Sequence, residues 1–577
     1  MEERSKDLPD ECWELIFNRL DHHSDLEALS LVCKRFLSIS NRLRTSFAIV
    51  NPTILTHGTI SKLFQRFQHL KFIDLSEFHG DIDLIIHEIA QSNLDLETLN
   101  VSNQNCLPLE VLKLLGSNMK NLKVLNCADL MVFRDIELVV LANSMPWLEE
   151  LDISHPRNYF DLSSALHPMT SSEMSVTDSG IQVLSCKLTN LRKINISGNH
   201  FITDRSLVAL SSNCVFLREI VVKDCSFITQ KGMHFVMSHS PNLSSISVNG
   251  IQIPPRSSPF EDPLSYPRTL CTLDFYDLVI SDEFLHSIAK ACIPLKRLTL
   301  FQCSNFTVSG VSLLLYAYQS LEYLAFVKAE FLTDQAMTDL SQYLRNLITI
   351  KLKFCSKLTN STFFTLAKNC PLLKDIEMEK ANLGKEDCTL DFVKNPRIKS
   401  LNLAWNSHLS DECLKKFAFI CPKLETLDVC SCSGITEGGI AEILKNCCEI
   451  KHLRIDDCGG IKSIGMGSKL FKLEIFQAAC SGINDKGLAM IGERCCGLLN
   501  LDLEGCLEVT TGMVKEVVKN CKRLREINLK WCQNVNVSLV DWMVFSRPSL
   551  RKIIPPCNCF PTENQKKLYL RHGCLVC

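Results

Sequence analysis

Apolar positions along this chain recur in a fixed phrase. The pattern L-x-x-L-x-L, with Ile, Phe, Met or Val accepted at its apolar steps, starts at Leu70, Leu96, Leu122, Leu148 and Leu191 and runs on to an imperfect copy at Leu550, nineteen starts in all. Twelve of the eighteen intervals are 26 residues, five lie between 23 and 27, and one, from Leu148 to Leu191, is 43. In a unit such as Leu191-Arg192-Lys193-Ile194-Asn195-Ile196 apolar and polar steps alternate, the period of a half-buried strand. Twelve residues after the start stands Thr203, and the same offset holds Thr229, Thr307, Thr333, Thr359, Ser410, Thr436, Thr510 and Asn536. Such residues cap helices by accepting an orphaned backbone N–H, worth about 1 kcal/mol each. Leu207, Leu210, Cys214 and Leu217 then follow at steps of three, four and three, one face of a helix that leads into the next strand.

A strand–turn–helix unit of this size cannot bury its apolar face alone, so neighbours must stack into a continuous core. The expected fold is α/β: a leucine-rich-repeat solenoid, a horseshoe with parallel inner strands and outer helices, of 18–19 repeats over residues 51–556. A small all-α segment at 1–50 precedes it and a Cys-containing tail at 557–577 follows. Two irregularities break the period. Some 17 extra residues fall near 155–175, and in a loop at 252–268 Pro254, Pro255, Pro259, Pro263 and Pro267 replace the outer helix. Insertions between strand and helix project from one rim of such an array.

The period also accounts for much of the cysteine content. Of 30 cysteines, seven (Cys214, Cys292, Cys370, Cys421, Cys447, Cys495, Cys521) stand three residues before a start, and seven (Cys225, Cys303, Cys355, Cys432, Cys458, Cys506, Cys532) stand eight after one. Cys is small and buries well, which suits the tight corners where chain enters and leaves a strand. The C-x-x-C ligand spacing is missing from the array, so the expectation is structural thiols and no metal. Composition narrows the function. Lys+Arg 62 against Asp+Glu 64 leaves no basic excess to hold nucleic acid. The first residues lack the apolar core of a secretory signal and no apolar run is long enough for a bilayer, so a cytoplasmic or nuclear location is expected.

Residues 8 to about 48 do not follow the repeat. Leu8-Pro9-Asp10-Glu11 reads as a turn opening a helix. Ile16 and Leu20 continue its apolar face, Asp25 is placed to cap a second helix, and Leu29, Val32, Cys33 and Phe36 form that helix's face. The L-P-x-E start, the I-F-x-x-L helix and the L-x-x-V-C-K-x-F segment resemble an F-box. An F-box ahead of repeats with C-x-x-L starts and I-T-D-x-x-L helix openings (Ile202-Thr203-Asp204-Arg205-Ser206-Leu207) is similar to the cysteine-containing leucine-rich-repeat F-box family. The resemblance implies a substrate receptor of an SCF-type cullin-RING ubiquitin ligase, docking a Skp-type adaptor through Leu8, Pro9, Ile16, Leu20, Leu29, Val32, Cys33 and Phe36. Phe36 stands where the family often has Trp. The plainer reading is that these side chains close the end of the array. The runner-up function is a non-catalytic scaffold or inhibitor that acts by protein binding alone.

In the strand template the residues two, four, six and seven after each start face the concave side. There the mid-array differs from the polar remainder: Tyr276, Phe301, Tyr323 and Phe354 carry aromatic rings, with Arg297, Lys328, Lys351 and Lys353 beside them and Trp405 further on. Aromatic and Arg side chains on an open surface are typical interface anchors, so this stretch is the candidate substrate site, suited to an acidic or phosphorylated peptide. The alternative is an inner face with scattered aromatics.

Catalytic motifs appear as near misses. His87-Glu88-Ile89-Ala90-Gln91 has Gln where a zinc protease needs its second His, and Gly460-Ile461-Lys462-Ser463-Ile464-Gly465 is followed by Met466 and Gly467 instead of the Lys and Ser/Thr of a phosphate loop. That Gly-rich stretch is expected to replace an outer helix. No catalytic residue, cofactor or metal is assigned. The chain ends Cys574-Leu575-Val576-Cys577, which leaves three options: prenylation of Cys574, a zinc site with Cys557, Cys559 and Cys577, or a final cap with free thiols. Membrane attachment is expected only in the first.

Overall fold

The computed structural model describes residues 8–20, 26, 29–50, 59–156, 175–250, 266–384, 392–465, 470–557 and 559–576. The insertion near 155–175, all but its edges, the prolines before 266, Asp25 and Cys577 lie outside the described residues. The chain divides into two units, Met1–Leu278 and Val279–Cys577.

The first unit opens with two helices, α1 (Asp10–Phe17) and α2 (Lys34–Leu43). Nine strands follow among the described residues, from Ser46–Ala48 to Thr272–Tyr276, each pairing in parallel with the next. Equivalent steps of successive repeats sit side by side: Ile73 opposite Leu99, Leu99 opposite Leu125, Leu125 opposite Leu151. This register is the sequence period made physical, since slipping by one residue would turn every apolar step out of the core. The sheet begins with Ser46–Ala48, inside the segment expected to be wholly helical. A three-residue strand without a full leucine phrase gave no period-2 signal, and only its partner Phe72–Asp74 reveals it.

The second unit holds twelve strands among the described residues, from Arg297–Phe301 to Leu575–Val576, again parallel and in sequence order. Between the strands His452–Arg454 and Ile475–Gln477 no helix occurs among the described residues, as expected of the short Gly-rich repeat. The tail does not leave the array. A helix at Glu563–Arg571, capped by Thr562, leads to a last strand, Leu575–Val576, paired in parallel with Lys552–Ile554. This unit lacked a leucine phrase because Gly573 falls where the leading Leu would stand, two residues before the strand.

The capping residues act as their spacing predicts at Thr203, Thr229, Thr307, Thr333, Thr359, Ser410 and Thr436, each of which accepts a backbone N–H of its helix. Thr510 caps without that bond, and Asn536 stands one residue ahead of its helix's first cap position while accepting from the Ser538 N–H at 2.9 Å. The Asp that often follows the cap has a separate task. Asp178, Asp204, Asp282, Asp334, Asp411 and Asp485 each accept both the backbone N–H and the hydroxyl of the Thr that caps the next helix.

Thirteen of the fourteen repeat-positioned thiols are buried. Six of the seven that stand eight residues after a start donate to a carbonyl of the preceding repeat, among them Cys432 to Leu403 (3.3 Å), Cys458 to Val429 (3.1 Å) and Cys532 to Leu503 (3.0 Å). Burial pushes the Cys432 and Cys532 thiols up to about 12. Cys292 breaks the expectation and is exposed. Its helix is one residue short, ending at Lys290, and the chain turns through a left-handed Cys292 (φ 49°) so that Ile293 takes the inward place.

Candidate functional site

Two surfaces follow from this framework: the N-terminal helical pair, and the inner strand face of the second unit. Pro9 sets the entry to α1 with φ −56°, and Asp10 and Glu11 place negative charge in its first turn, where the helix dipole favours it. Across the pair, Arg35 donates to Asp10 at 2.7 Å, and Arg42 reaches Asp10 (3.0 Å) and Glu14 (2.8 Å). The bonds from Arg35 and then Arg42 hold the Asp10 carboxyl below the usual carboxylate range. Beneath them Phe36 packs on Trp13 (4.8 Å between ring centroids) and edge-on to Phe17 (5.2 Å), with Phe17 and Ile39 buried.

That packing divides the eight expected adaptor residues. Leu8, Pro9, Ile16, Val32 and Cys33 stand at the surface, whereas Leu20, Leu29 and Phe36 are half-buried. The expectation that Leu29, Val32, Cys33 and Phe36 share one helix face is corrected. The chain turns at Leu31–Val32, and Cys33 is the N-cap of α2, its sulfur accepting the Phe36 N–H at 3.4 Å. Two exposed side chains were missed, Leu15 (69 % exposed) and Leu31 (85 %). The signal was present: Leu15 sits on the polar side of α1 and Leu31 in a turn, positions where a large apolar residue serves no core.

On the strand face, Tyr276 belongs to the first unit, half-buried, with the Lys223 ammonium 4.0 Å from its ring centre. In the second unit the Arg297 guanidinium lies over the Tyr323 ring at 3.7 Å, Phe301 is half-buried, and Lys328 donates to Gln302. Phe354 and Trp405 are exposed. The expected basic stretch is absorbed by its neighbour strand. Lys351 bonds Glu377 at 2.8 Å, and Lys353 bonds Glu377 (2.8 Å) and Glu379 (2.9 Å). Burial opposes charge on Lys353 and Glu377, yet their mutual bonds outweigh it, raising the Lys353 pKa and lowering that of Glu377. Cross-strand pairs of this kind offset the charge of both lysines. The lysines were visible in the sequence; Glu377 and Glu379 one repeat on were not weighed against them.

Cys574 is 1 % exposed and Leu575–Val576 pair with Lys552–Ile554, so prenylation, one of the three options for this tail, would have to pull out a strand. Cys557 is exposed and Cys559 half-buried. Among the described residues no group of three His, Cys, Asp or Glu side chains is placed to hold a metal, and no helix is long and apolar enough to cross a membrane.

Residues 6–47 match the family model of the F-box domain. Similar curated relatives are a transport inhibitor response 1-like protein of Oryza sativa subsp. japonica, 26% identical over 186 residues (31% of this chain, 29% of that protein), and F-box/LRR-repeat protein 4 of Bos taurus, 27% identical over 208 residues (35% and 33%). F-box/LRR-repeat protein 12 of Arabidopsis thaliana is 34% identical over 82 residues (12% and 21%). The matches thus span about a third or less of those relatives. Among solved structures, one of the yeast Rad7 and Elc1 complex gives a TM-score of 0.43 at 17% identity, covering 75% of this chain and 95% of that one. With a match to the F-box domain at residues 6–47 ahead of a leucine-rich-repeat array, this chain is similar to the F-box/LRR-repeat proteins over the segments they share.

Proposed function

We propose that the chain is the substrate-recognition subunit of an SCF-type ubiquitin ligase. A Skp-type adaptor docks on the F-box and links it to a cullin-RING ligase, while the inner strand face holds a target protein for ubiquitination and proteasomal degradation. The chain itself is non-catalytic in this reading and works in the cytoplasm or nucleus. The observation that carries it is the apolar surface of the helical pair. Leu8, Leu15, Ile16, Leu31 and Val32 are all exposed within 25 residues, although the segment has its own aromatic core in Trp13, Phe17 and Phe36. Apolar side chains grouped on a surface that their own fold leaves uncovered mark a protein interface. Leu8, Pro9, Ile16 and Val32, with Leu15 and Leu31, are the adaptor-facing set, and Cys33 and Phe36 position them.

The test is capture of a purified Skp-type adaptor by the full chain. Wild type should bind and the double variant Leu15→Asp, Leu31→Asp should not, with an unchanged far-UV spectrum because both positions are exposed. Adaptor binding by the double variant, or none by wild type, would overturn the assignment.

A further inference from the structure

On the strand face of the second unit, Glu379, Asp428, Asp456, Asp457 and Glu504 line a cavity of about 370 Å³ together with Trp405. Among the described residues Arg454 is the one cation in that lining, and it is held by Asp456 (2.7 Å) and Asp428 (3.4 Å). From outside the lining Lys353 reaches Glu379 and Lys530 reaches Glu504 at 3.6 Å, but Lys353 is shared with Glu377. Carboxylates therefore exceed cations around the cavity. Half-buried Asp502, on the strand leading to Glu504, has its carboxyl pushed up, by burial first and also by the charges of Asp456 and Glu504.

Trp405 is the second element. It is 59 % exposed and stands seven residues after its repeat start, at the turn where the backbone takes a positive φ. The same turn holds Asn103, Asp129, Asp224 and Gly198 in other repeats, and Phe354 and Trp531 as further aromatics; Trp405 stands there at φ 64° with its backbone N–H bonded to the Cys430 carbonyl (2.8 Å), and of these aromatics it is the one that lines the acidic cavity. A ring that lies this far in solvent contributes little to the core. An open indole is the best aromatic surface for a cation, and carboxylates beside it supply charge-assisted bonds. The carboxylates are distributed along the walls and do not converge as metal ligands among the described residues, so the fitted cation is an organic one.

We propose that this cavity binds a basic segment of the target protein, an Arg or Lys side chain lying on the Trp405 ring with its charged head among Asp428, Asp456, Asp457 and Glu504. The inference deepens the receptor reading and rests on it for the occupant being a target protein. It reverses the sign of the ligand expected from Lys351 and Lys353, because those lysines are already bonded to Glu377 and Glu379.

The test is fluorescence anisotropy of the full chain with a labelled peptide in which arginines alternate with Gly and Ser, against its glutamate counterpart. The arginine peptide should bind and the glutamate peptide should not. Trp405→Gly and Asp457→Asn should each weaken binding about tenfold, as loss of a cation–π contact or a charged bond implies. Glu412→Gln, at an exposed helix carboxylate outside the cavity lining, should leave affinity unchanged. Glycine adopts the left-handed backbone freely, so Trp405→Gly should keep the melting temperature and separate binding from folding. Unchanged affinity in Trp405→Gly, or preference for the glutamate peptide, would overturn the proposal. Adaptor capture on the same preparations keeps the two readings apart: capture without arginine-peptide binding overturns the basic-segment inference alone, and peptide binding without capture overturns the receptor reading alone.

Discussion

The Asp334 carboxylate accepts the backbone N–H of Thr359 at 3.0 Å and its hydroxyl at 2.7 Å, joining two repeats across 25 residues of sequence. Thr359 in turn accepts the Ser361 N–H as helix cap, and the buried Thr362 hydroxyl donates to the same Asp334. One side chain thereby satisfies three donors at the start of the next helix. Asp334→Ala should destabilise the protein by about 1–3 kcal/mol, because those donors stay buried without acceptors. Chemical denaturation of the variant checks this, and an unchanged midpoint would mean that water replaces the carboxylate.

Acid should loosen the strand-edge ion pairs in a defined window. Bonds from Lys399 and then Lys451 hold the Glu425 carboxyl at about 2, against an ordinary value of 4.5. A depressed folded-state pKa means the unfolded chain takes up the proton first. The stabilisation is therefore complete above about pH 5 and is lost as pH falls from 4.5 towards 2. Glu425→Gln should flatten that part of the melting-temperature profile by lowering the melting temperature modestly at neutral pH and leaving the acid end unchanged, the loss being small because partly exposed pairs contribute little.

Thiol chemistry should follow burial and not repeat position. Cys370 and Cys292 stand at the same step of their repeats, but Cys370 is buried with its pKa pushed up to about 12, and Cys292 is exposed. Mild alkylation of the native protein at pH 8, mapped by mass spectrometry, should modify Cys292 and spare Cys370, Cys432 and Cys532, because the thiolate is the reactive form. Equal labelling would show that the repeats open readily.

Protein purified from a eukaryotic cell should carry no prenyl group. Cys574 is buried immediately before the last strand, and Tyr569 of the preceding helix is tied to Asp541 at 2.6 Å. An intact mass equal to that of the unmodified chain is expected. A farnesyl or geranylgeranyl increment would show that this last repeat comes away from the sheet.

The repeat, its inward leucines and its capping threonines were legible because each depends on neighbours within one turn or one strand. Leu191, Ile194 and Ile196 declare by their spacing alone that they are buried, and Thr203 by its place before Asp204 that it begins a helix. The helical pair was legible as a motif. What escaped was whatever depends on the next repeat. Lys351 and Lys353 read as a free basic surface until Glu377 lies beside them, and Trp405 read as a distant aromatic until carboxylates of later repeats surround it. The short strands at Ser46–Ala48 and Leu575–Val576 exist because a neighbouring strand offers them hydrogen bonds. Local periodicity fixes where side chains point, since backbone geometry acts over a few residues. Stacking decides what they meet, because charge and packing act between residues some 26 apart in the chain.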